Sequence, residues 1–523
     1  MLRRPLYVLA ALSAALPMST ARAQELRVAL QAEPTSIDPL FHTLGPNNQI
    51  ARHIFSQLVH QDEKQHLVPG LALSWKPIDD GVWEFKLRSG VEFQDGAPLT
   101  AEDIVFSIDR APKVPNSPAS FAIYTKAVKA IEVVDAATLH VRTGTPYPLL
   151  ASDLSTISIQ ERRVVEGKAT EDFNKGTAAI GTGPFKFVEW VPGDHLVMVR
   201  NDGYWGQKPD WAKVTFRPIP NNAARVSALL AGDVDFIENV PTADLKTLKG
   251  NPRIRLVEAV SNRVIYLHLD SNRERTPFAL DNDGKPLPGN PLKDRRVRLA
   301  MSKAINRQAI VDRVMEGAAI PAGQLLPDGF FGVSPTLKPE PYDPEGAKKL
   351  LAEAGYPQGF RLTLHSPNDR YINDEKIAQA VAQMLSRIGI KTEVVAMPQA
   401  VYFSRASKLE FSLMLVGWGA ETGEPSSPLK SLLATYDPAK GFGAANRGRF
   451  SDPKLDELLV QALATVDDAK RELLLRQATE VGIGDLGIIP LHYEVTIWGM
   501  RSDLTFVGNT NQFTLAADVH PVK

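Results

Sequence analysis

An α/β protein of more than one lobe is what this sequence predicts, and three observations carry the prediction. At 523 residues the chain is several times longer than one hydrophobic core supports, since domains settle near roughly 100–200 residues. Strand-like and helix-like segments alternate along much of it, as in "KVTFRPI", "NAARVSALLAG" and "VDFI" (Lys213 to Ile237), which is the order of a βαβ unit. One block, residues 61–177, interrupts that grammar with a run of short strands.

The elements follow in order. "LRVAL" (Leu26 to Leu30) is a strand, and the turn-rich "EPTSIDP" leads to an amphipathic segment over Asn48 to Val59. Its apolar Ile50, Ile54, Leu58 and Val59 fall at helical spacing. "VWEFKL" (Val82 to Leu87) alternates as a half-buried strand does, and "VEFQDGAPLT" turns at Asp95-Gly96. Thr100 then caps the helix "AEDIVFSIDRA", with Asp103 three positions on closing a capping box. "TLHVRT" (Thr138 to Thr143) is another strand, and from Gly181 "FKFVEW" and "HLVMVRN" resume the α/β order, so a boundary falls near Ala178. A polar, Pro/Gly-bearing stretch from Asp270 to Asp294 is too long for a structureless connection within one lobe and reads as a passage between lobes. Beyond it, Val297, Met301 and Ala304 share a helix face and Asn306 recaps the chain. Asp343 and Pro344 start a further helix that Gly355 ends. "FSLMLVGW" (Phe411 to Trp418) is apolar throughout, as a strand covered on both faces should be, and "IIPLHYEVTIWGM" returns to an earlier sheet.

Composition narrows the function. Hydrophobic residues make up 44% and charged residues 23%, ordinary values for a folded water-soluble chain. With 59 basic against 60 acidic residues and no Lys/Arg block, nucleic-acid binding has little electrostatic basis. Arg3 and Arg4 precede the apolar run Leu6 to Leu16, and "ARA" ends at Ala23. That is the layout of a cleavable secretory signal, residues 1–23, with cleavage expected after Ala23, export by the general route and a periplasmic destination. No segment supplies the roughly 18 apolar residues of a membrane span. The chain contains no Cys, which removes disulfides, thiolate metal sites, Cys nucleophiles and a lipidated N-terminus.

Catalytic signatures are scarce. H-E-x-x-H, G-x-S-x-G and the phosphate-binding G-x-x-x-x-G-K-[ST] do not occur. "GIGDLG" (Gly482 to Gly487) has dinucleotide-loop spacing but follows a helix and precedes a strand, the reverse of what phosphate binding requires. His42, His53, His60 and His66 lie close in sequence without metal-ligand spacing and read as surface or capping histidines. Neither a metal site nor a cofactor is expected. "LVGWGAETGEP" (Leu415 to Pro425) is the one stretch with site character. Gly417 and Gly419 leave the backbone open, Trp418 offers a flat wall, and Glu421 and Glu424 follow at a strand's C-terminal end, where open α/β sheets place ligands. A surface loop and a ligand seat both fit these residues.

"PGLALSWKPIDDGVWEFKLRSGVEFQDGAPLTAEDIVFSIDRA" (Pro69 to Ala111) resembles the signature of the bacterial extracellular solute-binding proteins of family 5, the binding components of peptide and nickel ABC importers. The resemblance continues through Ile180 to Gly206, Ala228 to Ile237, Asp294 to Val314 and Tyr342 to Phe360. It implies a two-lobed periplasmic-binding-protein fold of class II type, with a β-rich domain inserted in the first lobe. The expected partition is lobe I over 24–60, 178–275 and 488–523, the insertion over 61–177 and lobe II over 276–487. It also implies a hinge-closing monomer that captures a di- or oligopeptide without chemistry and docks on the membrane subunits of an ABC permease. Peptide binders of this family seat the α-ammonium on an Asp shortly after a Gly-Trp pair, where this chain has Glu421. Arg370 matches the arginine that takes the peptide carboxylate, and Gly45 falls in a loop whose backbone meets ligand. The ligand-binding set implied is therefore Glu421, Trp418, Gly419, Arg370 and Gly45. A nickel chelate, an opine-like conjugate or an oligosaccharide is the alternative solute, and a periplasmic hydrolase using Glu421 and Glu424 is the alternative of another class.

Overall fold

The computed structural model describes residues 25–420 and 422–522; the signal segment and Glu421 lie outside the described residues. A twelve-stranded sheet forms the backbone of the molecule, and a separate four-stranded antiparallel sheet is built from Ala72–Asp79, Val82–Leu87, Thr138–Arg142 and Ala130–Asp135. Two long strands, Ile254–Leu269 and Ile488–Arg501, lie side by side at the middle of the large sheet. Their first pairs, beginning Ile254 with Arg501, belong to the half that contains Glu25–Leu30 and Lys213–Pro218. Their last, ending His268 with Ile488, belong to the half that contains Leu413–Gly419 and Phe360–Pro367. The two α/β lobes are thus joined through one continuous antiparallel ribbon.

The register of that ribbon shifts at two places, between Val260 and Val264 and between Ile265 and Tyr266, and the first shift is the larger. Val260 pairs with Val495 and Val264 with Tyr493, so Ser261, Asn262 and Arg263 stand opposite the single residue Glu494. Such a bulge turns side chains out of their regular alternation and bends the strand that carries it.

Apolar patterning explains the layers. Along Leu413–Gly419, Leu413 and Leu415 enter the cluster formed with Val297, Met301, Ile377 and Val381 on one face. Met414 and Val416 enter the cluster of Leu429, Leu433, Leu455 and Leu459 on the other. With helices on both faces, the strand has no solvated side, hence its unbroken apolar run. Lobe I has its own core around Phe55, Phe185, Phe216 and Trp498, and the small sheet packs Phe85, Leu139 and Val141 on the helix Ala101–Arg110 through Ile104 and Ile108.

Caps stand where the sequence puts them. The Asp103 carboxylate accepts from the Thr100 backbone N–H at 2.8 Å, Asp343 accepts from Gly346 N–H at 2.8 Å, and Asn306 from Ala309 N–H at 2.9 Å. Two expectations need correction. The helix expected over Asn48 to Val59 runs from Gly45–Ile54, and Val59 begins a short strand; Leu58 and Val59 are buried in the core of the small sheet instead. Helical periodicity continued past the true end because the next element also needed apolar residues. The stretch Asp270 to Asp294 is no structureless passage. Ala279–Leu280 adds a strand beside Leu362 and Arg361, and Arg273 donates to the carbonyls of Leu409 and Phe411 at 2.8 and 2.7 Å, fastening the segment to lobe II.

Candidate functional site

The bulge lines a small hollow with about 50 Å³ of accessible volume. Its walls come from every part of the chain. The helix Gly45–Ile54 contributes Asn48, Ala51 and Arg52, and the segments around the small sheet contribute Gln57, Gln61, Gln65, Thr156 and Ser158. The bulge contributes Asn262 and Arg263, the strand Leu413–Gly419 contributes Gly419, and the C-terminal segment contributes Asn511 and Phe513. A second hollow of about 400 Å³ adjoins it and shares Arg52, Gln57, Gln61 and Asn511; its size falls inside the roughly 300–1,000 Å³ typical of small-ligand sites.

Gln65 fastens one wall. It sits in a turn with positive φ, its carbonyl Oε1 accepts from Asn262 Nδ2 at 2.8 Å, and its amide donates to Ala420 O at 3.4 Å. Asn262 itself donates to Ala420 O at 3.1 Å, and its backbone N–H to Thr510 O at 2.9 Å. The two lobes therefore meet around this cavity, and Gly423, at φ +71°, lies close enough that a β-carbon would stand 3.1 Å from Gln65 O.

The glycines flanking Trp418 have a structural cause. A β-carbon on Gly417 would lie 2.6 Å from the Ile265 side chain and 2.8 Å from the Tyr371 ring, and one on Gly419 would lie 3.2 Å from the Arg263 guanidinium. Their missing side chains thus admit Tyr371 and Arg263. Tyr371 donates to Gly417 O at 3.2 Å, and Arg370 lies over the Tyr371 ring at 5.1 Å. Gly417→Ala should displace Tyr371 and, with it, Arg370. Overpacking of this kind costs about 1–3 kcal/mol, so a lowered melting temperature together with weaker ligand binding is expected, read by thermal unfolding and calorimetry.

Arginine dominates the local charge. Arg263 Nε lies 3.4 Å from the buried Glu494 carboxylate. The Arg370 side chain has no hydrogen-bond or ion-pair partner among the described residues. Arg370 is solvent-accessible yet flanked by protein mass, as a group on the wall of a cleft is. That partial desolvation lowers its pKa, and the neighbouring positive charge of Arg263 lowers it further.

The other residues expected at the site are spread around it. Trp418 points to the opposite strand face from Gly417 and Gly419, packs on the cluster containing Met414 and Val416, and has a buried indole N–H with no partner among the described residues. Gly45 begins its helix and faces open space. Glu421 lies outside the described residues. Glu424 is buried and ion-paired with Arg471, which removes the free second carboxylate a glycoside hydrolase would need. His53 is buried, with Nδ1 bonded to Gln49 O at 2.9 Å and Nε2 accepting from Ala516 N–H, which is a capping role.

Near Glu424, charged groups of both lobes come together. Asp153 is buried and accepts from Tyr147 Oη at 2.6 Å. Burial raises its pKa to about 8; Tyr147 and Lys430 oppose that rise and Glu424 adds to it. Between the ordinary value of 3.8 and about 8, Asp153 is protonated when folded and ionised when unfolded, so its contribution to stability falls as pH rises through that window. Asp153→Asn should flatten the decline of melting temperature from pH 4 to 8, and an unchanged slope would show that Asp153 titrates normally.

Arg263, Asn262 and Gln65 were not singled out by sequence reasoning. The available signal was "SNR" in "EAVSNRVIYLHL": three polar residues interrupting an otherwise apolar strand, which is how a bulge reads.

Comparison with known proteins places this geometry. A model of the bacterial extracellular solute-binding proteins, family 5 Middle, matches residues 66–440. Glutathione-binding protein GsiB of Pectobacterium atrosepticum is 29% identical over 472 residues, covering 88% of this chain and 86% of that protein. The protein of that name from Escherichia coli K12 is 29% identical over 496 residues, covering 92% and 91%. Among solved structures, the unliganded open form of MppA, a periplasmic murein tripeptide binding protein, superposes with a TM-score of 0.77 at 28% identity, covering 96% of this chain and 98% of that one. DppA of Helicobacter pylori in complex with the peptide STSA does so at 0.76 and 25%, covering 95% and 98%.

Proposed function

The chain belongs to the bacterial extracellular solute-binding proteins of family 5, the solute-capturing components of ABC importers, and from that premise we propose that it takes up a short peptide or peptide-like conjugate in the periplasm. The observation that carries this reading is the hollow where the lobes meet, lined by the side-chain amides of Gln57, Gln61, Gln65 and Asn262 and by Arg263, together with Arg370, whose guanidinium has no hydrogen-bond or ion-pair partner among the described residues. A carboxylate is the natural occupant of such a fork, because guanidinium and carboxylate match bidentately. Two relatives in sequence are named as glutathione-binding proteins, and two similar structures are named for a tripeptide and a tetrapeptide ligand. Each ligand is a short chain with a free carboxylate.

Capture in this reading is a difference in affinity between open and closed forms. Walls drawn from both lobes contact the solute together only when the lobes meet, so the solute favours the closed form by the contacts the open form lacks. The closed form then docks on the permease as a monomer, and the solute leaves unchanged. Glu421, following the Gly-Trp pair, is the proposed seat for the amine end. Among the described residues no helix is long and apolar enough to cross a membrane, in keeping with delivery by docking.

Calorimetric titration with glutathione, a tripeptide and the tripeptide's C-terminal amide tests the reading. The free acids should bind, and at about 100 times the dissociation constant should stabilise the fold by about 2.7 kcal/mol. Glu421→Gln should lose affinity for amine-bearing ligands with little change in the empty protein's melting temperature. Binding of a non-peptide chelate or sugar with no response to any peptide would overturn it.

A further inference from the structure

We infer that Arg263 is an anion seat in its own right, and that together with Arg370 it selects solutes carrying a second acid group. The inference rests on the peptide reading for Arg370 but depends on different atoms. Arg263 lies in the three-residue bulge opposite Glu494, and the cavity wall includes it directly. Its guanidinium occupies space that Gly419 leaves empty, where a β-carbon would stand 3.2 Å away. Backbone pairing on either side, Val264 with Trp418 and with Tyr493, holds the residue in place. This is an arginine placed on rigid elements and given room.

Its charge is incompletely answered within the protein. Glu494 approaches Arg263 Nε only to 3.4 Å, and the same carboxylate also receives long contacts from the Ile372 N–H and the Gln512 amide, each at 3.4 Å. Arg370 stands near enough to repel Arg263 and brings no acid of its own to the cavity. Among the described residues lining the hollow at the bulge there is no carboxylate, whereas Arg52 and Arg263 both line it; the acids Asp62, Glu63 and Asp518 line the adjoining hollow instead. Arg263 stands beside Gly419 and Arg370 lies over the Tyr371 ring that fills the space at Gly417, so both guanidinium groups flank one strand, and the loosely bonded, shared Glu494 carboxylate leaves that place positive. A single ligand carboxylate on Arg370 would leave Arg263 under-neutralised; a solute with two acid groups answers both. Acidic peptides, γ-glutamyl conjugates and other diacids have this chemistry, and neutral dipeptides do not.

The test presents the purified protein with an equimolar mixture of Ala-Glu, Ala-Gln, Ala-Asp and Ala-Asn, and separately with glutarate and its monoamide, and identifies retained ligands by native mass spectrometry. Wild type should retain each acid at least about tenfold over its amide, a difference of about 1.4 kcal/mol. Arg263→Gln should bring that ratio below about twofold, and Arg263→Lys, which keeps charge but loses the planar fork, should fall between. Circular dichroism of both variants checks the fold; if Arg263→Gln does not fold, the lysine variant and the wild-type ratios decide. Equal retention of acid and amide by wild type in both arms, or a preference that survives Arg263→Gln, overturns the inference. If no peptide is retained but glutarate is preferred in an Arg263-dependent way, the peptide reading fails and the acid seat stands.

Discussion

Arg370→Ala is expected to remove ligand capture without lowering the melting temperature of the empty protein. If a ligand carboxylate is enclosed against Arg370, truncating that hydrogen-bonded charge pair costs about 2–5 kcal/mol, so affinity for a free-acid peptide should fall at least about thirtyfold by calorimetry. The empty protein loses little. The arginine has no ion-pair partner among the described residues, its surroundings partly desolvate it, and Arg263 repels it, while its contact with the Tyr371 ring at 5.1 Å contributes about 0.5–1 kcal/mol. Equal affinity of wild type for a peptide and its C-terminal amide would remove this role.

Asp38→Ala is expected to have the opposite profile: a large loss of stability with the cavity chemistry untouched. Asp38 is buried in the segment after the first strand. It accepts from Arg110 at 2.9 and 2.6 Å, from Thr170 Oγ1 at 2.9 Å and from Leu40 N–H at 3.1 Å. Arg110 ends the helix Ala101–Arg110 and covers the Phe173 ring at 4.9 Å, so this one carboxylate ties three separate segments together. Removing it leaves an uncompensated buried cation, which costs about 3–5 kcal/mol. Thermal unfolding should show the drop, and Asp38→Ala with Arg110→Met should recover part of it. A single-variant shift under about 2 °C would mean the pair contributes nothing net.

How much of this was legible in the sequence follows from the range of the forces involved. Local rules found the caps: Asp103, Asn306 and Asp343 act on backbone N–H groups three residues away or fewer. The apolar run Leu413 to Val416 announced a strand covered on both faces, and the two core clusters show it. Helix ends were less legible, since Leu58 and Val59 satisfied the helical period while serving another core. The cavity was least legible. Its walls join Gln65, Asn262, Gly419 and Asn511, which lie far apart in sequence, and no local pattern encodes a meeting that only the tertiary fold creates. The glycines around Trp418 were read as openings for a ligand, and the fold fills both with its own Tyr371 and Arg263.

The bulge in the paired strands Ile254–Leu269 and Ile488–Arg501 also has a mechanical consequence. Three residues opposite one leave a short length of this double-stranded bridge without regular ladder bonds between its two strands, and what holds the stretch runs sideways, from the Asn262 N–H to Thr510 O and through the pairing of Arg263 with Gly419. A fulcrum at that point would make Arg263 and Asn262 the part of the molecule that travels least when the halves swing apart. Groups at a fulcrum greet a solute equally in the gaping and the shut molecule and set how well it is first held; those far out on the arms decide whether the jaws stay shut.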